Sequence, residues 1–497
     1  MCLGPVFCFK GSIGMKIRAD IVQMYRDIHS WVGILAGLFL FVAFYAGGIS
    51  VFEAPLQNWL TKPVVLPAPV TVGQVPDLMQ KAFAAYPEAQ QEYTVVLSPT
   101  VSFPARLMWP VHAGQRHAGP VDMIAASLDA EGHLVTAKHK PSEVAHFIDE
   151  LHENVGLPVF MPYSRWFMGI VALLYAVALV SGVIAFLPML VKNIFALRLI
   201  HGAWKKWLDI HNLLGIFSLP FHVIIALSSV LFAYHGLIHN VQTIMFSAPT
   251  AFHDRHAPTG RMGHQAVAHS LTPSMPPSEI VQALQKQAPE FVPDVLNYTL
   301  TDKAKQTLFV IGHDEHYMMR GPAGGLAELD PASGKILSAE YMPGLQSASF
   351  SILTTLFALH FGSFGGNAVK FGYLILGFAG AFLFYSGNRL WLISRYRKEQ
   401  KNGATEPSKG TKFLTRITYG CIFGCISGIS VLMSAALLTP YCESYLGVSL
   451  IYYAIFCMCL GVSFMVPDPV RIRMLGMCAA ITTLAIPLIY IGKYFVF

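Results

Sequence analysis

Seven stretches of the chain are apolar almost without interruption and reach the ~20 residues needed to cross a bilayer. They run roughly over 31–52, 166–190, 210–233, 371–393, 417–439, 447–466 and 474–492. Two long intervals break this pattern, about 60–164 and about 240–350. Within them, "VPDLMQKAFAAY" (75–86) and "SEIVQALQKQA" (278–288) place apolar residues at helical spacing. Strand-like runs follow each, such as "YTVVLS" and "TLFVIG". Each interval then holds a polar, glycine-containing turn between apolar runs, "ASLDAEGHLVTA" at 126–137 and "AELDPASGKILSAE" at 327–340. That is hairpin chemistry. The pattern predicts seven membrane helices and two α+β modules.

Composition agrees with a membrane protein. Of 497 residues, 54% are hydrophobic and 12% charged, against about 25% charged in soluble domains. The net charge of +6 reads as topology rather than nucleic-acid affinity, because basic residues mark cytoplasmic loops. Lys10, Lys16, Arg18 and Arg26 precede the first span. Lys192, Arg198, Lys205 and Lys206 lie between spans two and three, a basic linker fills 394–416, and Arg471 and Arg473 lie between spans six and seven. All favour a cytoplasmic N-terminal segment (1–30), both modules outside, and a three-helix C-terminal membrane unit (417–497). Neither outer module contains a cysteine, which excludes a disulfide framework there. Cys421 and Cys425 share a helix face and read as small core residues. "MCLGPVFCFKGSIG" lacks a signal-peptide pattern, and Met15 opens a more ordinary start.

The chain repeats itself, and repeats are the first thing to seek. "RDIHSWVGI" in span one matches "LDIHNLLGI" in span three, at an offset of 182 that pairs His29 with His211. "LHENVGLP" precedes span two and "LHFGSFGG" precedes span four, pairing His152 with His360. Arg165 matches Lys370, and Ser181-Gly182 matches Ser386-Gly387, at an offset of 205. The first ~395 residues therefore read as two copies of helix, outer module, helix, with four spans forming a pseudo-two-fold bundle.

Histidines inside apolar helices are functional candidates by default, and imidazole is an axial ligand suited to haem iron. His29 and His211 form the expected inner pair. The outer pair is His152 with His360, or His222 with one of them. His211 and His222 are eleven residues apart, so a straight helix would point both the same way. Pro220 removes one amide donor and invites a kink. Asp27 and Asp209 read as helix-end caps. Arg165, Lys370, Lys205 and Lys206 read as interface anchors or haem-propionate contacts. His235 and His239 are possible outer-substrate contacts, while His253, His256, His264 and His269 lack regular metal spacing. No Walker A loop, G-x-G-x-x-G after a strand, C-x-x-C pair or G-x-S-x-G motif occurs. Electrons would have to come from the quinol pool or a separate reductase.

The runs "DIHSWVGILAGLFLFVAFYAGGISVFE", "RWFMGIVALLYAVALVSG", "DIHNLLGIFSLPFHVIIALSS" and "YSGNRLWL" resemble the PepSY-associated transmembrane helix family over about residues 20–398. "LDPASGKIL" resembles a PepSY module. Late in the third span this chain has Ser228-Ser229 where the family usually carries Thr-Gly, so packing there is expected to differ. The resemblance implies a bacterial inner-membrane location, four core helices, periplasmic PepSY-like modules, two b-type haems and electron transfer to a ferric siderophore. The expectation is thus an α-helical polytopic membrane protein: a four-helix pseudo-two-fold haem-binding bundle, two extracytoplasmic α+β (PepSY-like) modules and three extra C-terminal transmembrane helices. It would act as a haem-dependent ferric-siderophore or ferric-chelate reductase. The rivals are a non-redox envelope protein that binds a peptidase or other partner, and an iron-chelate transporter. The C-terminal spans carry no functional mark of their own.

Overall fold

The computed structural model describes residues 18–112, 120–158, 163–189, 202–246, 274–300, 306–317 and 324–495. The opening segment with Met15, Lys192, Arg198 and the histidines from 253 to 269 lie outside them. So do the side chains of Arg165, His235 and His239.

The membrane part is helical. In chain order α1 is Ala19–Ser50, α2 Glu53–Leu60, α3 Val75–Ala85, α4 Val144–Glu153, α5 Tyr163–Phe186, α6 Ala203–Phe217, α7 Leu219–Phe246, α8 Pro277–Gln287, α9 Ala348–Phe361, α10 Gly366–Lys401, α11 Lys409–Leu438, α12 Tyr445–Met465 and α13 Val470–Phe495. Six helices are each long and apolar enough to span: α1, α5, α10, α11, α12 and α13. The pair α6–α7 makes a seventh, bent by 69°. The protein is a multi-pass membrane protein with a separate antiparallel sheet.

The bend has a local cause. Pro220 cannot donate to Ile216, and the chain breaks at Ser218, whose amide reaches back to Leu214 at 3.0 Å. His211 and His222 therefore do not share one straight helix. The expectation that they share a face fails for that reason. Asp27 and Asp209 are not end caps either, because α1 starts eight residues before Asp27 and α6 six before Asp209. Asp27 accepts from Gln23.

The two α+β modules merge. Strands β1 (Glu92–Val96), β2 (Leu107–Pro110), β3 (Met123–Leu128) and β4 (Leu134–His139) form one half. Strands β5 (Val292–Leu300), β6 (Gln306–His313), β7 (Gly325–Leu329) and β8 (Ile336–Tyr341) form the other. Together they make one eight-stranded sheet in the order β4-β3-β2-β1-β5-β6-β7-β8. The seam is β1 against β5, with Thr94 opposite Asn297 and a side-chain hydrogen bond of 2.9 Å between them. Period-2 alternation sends Tyr93, Val95, Leu296, Tyr298, Leu308 and Val310 to one face, where Val75, Leu78 and Ala82 of α3 and Ile280 and Leu284 of α8 cover them. The two hairpins turn on Gly132 and Gly334, at φ +81° and +66°, a region that disfavours side chains. What the repeat shows as two modules, edge pairing joins into one sheet, leaving fewer unpaired backbone edges exposed.

One core cluster joins α1 and α4 to the C-terminal helices. Leu40, Phe41, Val42 and Phe44 of α1 pack with Phe147 and Leu151 of α4 and with Ile429, Leu432, Val448 and Tyr452 of α11 and α12.

Candidate functional site

Four of the five candidate histidines meet in two pairs. His29 on α1 faces His211 on α6 with ring centres 6.1 Å apart. His152 on α4 faces His360 on α9, also at 6.1 Å. His360 lies in the last turn of α9 rather than in a surface loop. Gly47, which touches His152, lies eighteen residues beyond His29 on α1, or about 27 Å along the axis at 1.5 Å per residue. The two pairs thus sit near opposite faces of a ~30 Å hydrocarbon layer.

Each imidazole is oriented through Nδ1. His29 donates to the carbonyl of Ala178 at 2.8 Å, and His152 donates to that of Ala43 at 2.8 Å. His211 Nδ1 lies 2.9 Å from Ser386 Oγ and 3.2 Å from the Leu383 carbonyl. Ser386 Oγ itself donates to Leu383, so it accepts from His211. His360 Nδ1 lies 2.7 Å from Ser228 Oγ, which donates to the Ile224 carbonyl and likewise accepts from the ring. Carbonyls only accept, so Nδ1 carries the proton and Nε2 keeps its lone pair. A second-shell bond of this kind fixes the tautomer that ligates a metal.

The repeat explains these contacts. Ala178, Ser181 and Gly182 on α5 correspond to Leu383, Ser386 and Gly387 on α10 at the 205 offset. A Cβ on Gly182 would stand 2.8 Å from His29 Cε1, and one on Gly387 3.2 Å from His211 Cε1. At the His152–His360 pair, a Cβ on Gly47 would stand 2.6 Å from His152 Nδ1. Gly47 has Ser229 as its counterpart, and it is Ser228 beside it that holds His360.

These residues fit a metal-centred cofactor held from two sides. An imidazole nitrogen binds a transition metal at about 2 Å, and the ring centre lies about 1 Å farther back, so two rings on one ion stand about 6 Å apart. Both pairs have that separation, protonated Nδ1 atoms, and glycine at the ring edge.

His222 belongs to neither pair. It is 1% exposed. Its Nδ1 lies 2.6 Å from Tyr175 Oη, and its ring sits among Phe44, Phe221 and Phe384. Its Nε2 is buried without a hydrogen-bond partner. The repeat counterparts of His222 and Tyr175 are Leu40 and Gly380, and a Cβ on Gly380 would lie 3.2 Å from His222 Cε1. This cluster has no equivalent in the other half of the repeat, where Leu40 and Gly380 stand. Sequence reasoning missed Tyr175 and Gly47; the paired Ser-Gly motif was the signal for the contacts of His29 and His211.

Among the anchor candidates, Lys205 and Lys206 are exposed. On α4, His146, Asp149 and Glu150 precede His152 on an otherwise buried apolar helix. His146 sits between Glu53 Oε1 at 3.8 Å and Glu150 Oε1 at 3.7 Å. Burial lowers the affinity of His146 for a proton, but the two carboxylates outweigh it and leave the pKa raised. Burial lifts Glu143 to about 7 and also raises Asp149.

A model of the PepSY-associated TM region matches residues 26–393, from α1 into α10 and stopping short of α11. A search of curated proteins finds no match. The chain belongs to the PepSY-associated transmembrane family.

Proposed function

We propose that this protein is a membrane oxidoreductase that carries electrons outward across the bilayer and reduces a ferric siderophore or similar ferric chelate on the outer side. His29 and His211 would hold one b-type haem, and His152 and His360 a second. Bound there, the haems would supply one-electron transfer between the two faces of the membrane. The protein's own part is orientation. Ala178, Leu383 with Ser386, Ala43 and Ser228 each fix one imidazole, and Gly47, Gly182 and Gly387 leave room at the ring edges.

The observation that carries this reading is the twofold occurrence of one geometry, a histidine pair at 6.1 Å near each end of the bundle. The outer end leads into the sheet. α4 follows four residues after β4, and α9 six residues after β8. An acceptor held by the sheet would therefore meet the outer pair first. The choice of a ferric chelate rests on the family resemblance and on charge: one added electron makes Fe²⁺, a weaker partner for hard oxygen ligands than Fe³⁺. The donor would be the quinol pool or a separate reductase on the inner side.

The test is a visible spectrum of purified full-length protein made with ample haem. Two b haems per chain and a Soret band that shifts with dithionite are expected. His211→Ala should lose one haem and His360→Ala the other, while His222→Ala keeps both. Fully folded protein without porphyrin would sink the reading.

A further inference from the structure

The family match ends at residue 393, yet α11–α13 share one core with α1 and α4. Their contacts fall on α4 at three points. At its start, the amide of Glu143 donates to the carbonyl of Cys442, 3.2 Å away. In the middle, Phe147 is 2% exposed and enclosed by Tyr445, Tyr452 and Tyr453, with ring centres at 6.0, 5.6 and 6.1 Å. Beyond its end, Tyr453 Oη donates to the carbonyl of Gly156 at 3.5 Å. Nearby, Lys62 after α2 pairs with Glu443 at 2.6 Å, and Trp59 meets Tyr490.

The turn these contacts close on is itself constrained. Val155 holds φ +49°, which a β-branched residue adopts only when its surroundings force it. Gly156 follows at φ +79°, against Val42 of α1. His152 sits three residues before that turn. A ten-residue helix is too short to hold its own shape, so its neighbours must set where the His152 ring lies. The counterpart helix α9 is supported differently, by Phe232 of α7 stacking on Phe357 and Phe361. On α9, Ile352 is 70% exposed.

We propose that the appended three-helix unit is a positioning clamp: through Cys442, Tyr445, Tyr452 and Tyr453 it holds α4 against α1, whose Ala43 carbonyl accepts from His152, and so tunes the orientation of His152 within the outer imidazole pair. The clamp itself stands on packing alone; its consequence for a haem rests on the function proposed above. It gives the C-terminal spans a role in tuning one site of two.

Two readouts on full-length protein separate these layers. The variants are the double substitution Tyr445→Ala with Tyr453→Ala, its conservative counterpart Tyr445→Phe with Tyr453→Phe, and Phe147→Leu. In hydrogen–deuterium exchange, the Ala double variant should speed exchange severalfold in peptides spanning 144–156 and leave those of α9 unchanged. The Phe pair should restore most of the protection, since it keeps the rings. In low-spin EPR and redox titration, the outer haem signal should shift in the Ala variant while the inner one stays. Phe147→Leu should fall between. Unchanged exchange in 144–156, or a loss spread equally over α4 and α9, overturns the clamp. An equal shift of both haem signals overturns the proposed selectivity for His152. Protein that binds no haem refutes the functional reading while the exchange result still decides the clamp.

Discussion

Gly47→Ala is the sharpest probe of the outer histidine pair. The added Cβ would stand 2.6 Å from His152 Nδ1, and ordinary contact begins at 3.4 Å. Relief requires the imidazole to retreat from α1 by the difference, about 0.8 Å. The bond from His152 Nδ1 to Ala43 is now 2.8 Å, and a retreat directed along it would stretch it to at most about 3.6 Å, outside hydrogen-bonding range. One such bond contributes about 0.5–1.5 kcal/mol to stability. Its larger effect is on the ligand: losing a second-shell partner costs about 10–100-fold in metal affinity. Gly461 lies inside α12, outside the four-helix bundle, and a Cβ there meets nothing within 4 Å. Gly461→Ala should be neutral or stabilise by up to about 1 kcal/mol through helix propensity. The assay is haem content per chain by pyridine haemochrome, with a redox titration of each preparation. Gly47→Ala should bind the haem at His152 and His360 substoichiometrically or with a changed midpoint, and Gly461→Ala should match the parent. Two full haems with unchanged midpoints in Gly47→Ala would refute the reasoning, as would equal damage from Gly461→Ala.

Tyr175→Phe removes the partner of His222 Nδ1 in a buried site, and an unsatisfied buried group costs about 1–3 kcal/mol. A lower thermal midpoint with two haems retained is expected; loss of one haem would instead make His222 a ligand. Glu143 has a carboxyl lifted by burial from 4.5 to about 7, so the folded state binds its proton more tightly than the unfolded chain. That contribution to stability is complete below 4.5 and is lost as the pH rises through about 7. Glu143→Gln should flatten this part of a denaturation-versus-pH curve, and an unchanged slope would count against the burial argument. Orientation is tested with single cysteines in a cysteine-free background. An impermeant maleimide should label Glu131→Cys on intact spheroplasts and Asn402→Cys only after permeabilisation; the reverse pattern would invert the topology.

The sequence alone determined the membrane class, because spans must be long and apolar to satisfy their backbones inside lipid. It also determined the hairpins, where turn residues act locally, and the equivalence of His29 with His211 and of His152 with His360. Repeats preserve such matches whatever the distances turn out to be. Ser181-Gly182 and Ser386-Gly387 were visible as a repeated motif, but only the packing of α5 on α1 and of α10 on α6 shows that they line imidazoles. Three things were decided by tertiary structure. The separation of His222 from both pairs follows from the break at Ser218, which rotates α7 away from the axis assumed by helical spacing. The joining of two modules follows from pairing β1 with β5, residues some two hundred positions apart whose edges carry no local signal of their partner. The grip of α11–α13 on α4 is a matter of shape among aromatic rings, and apolar helices look alike along the chain whether they face lipid or one another.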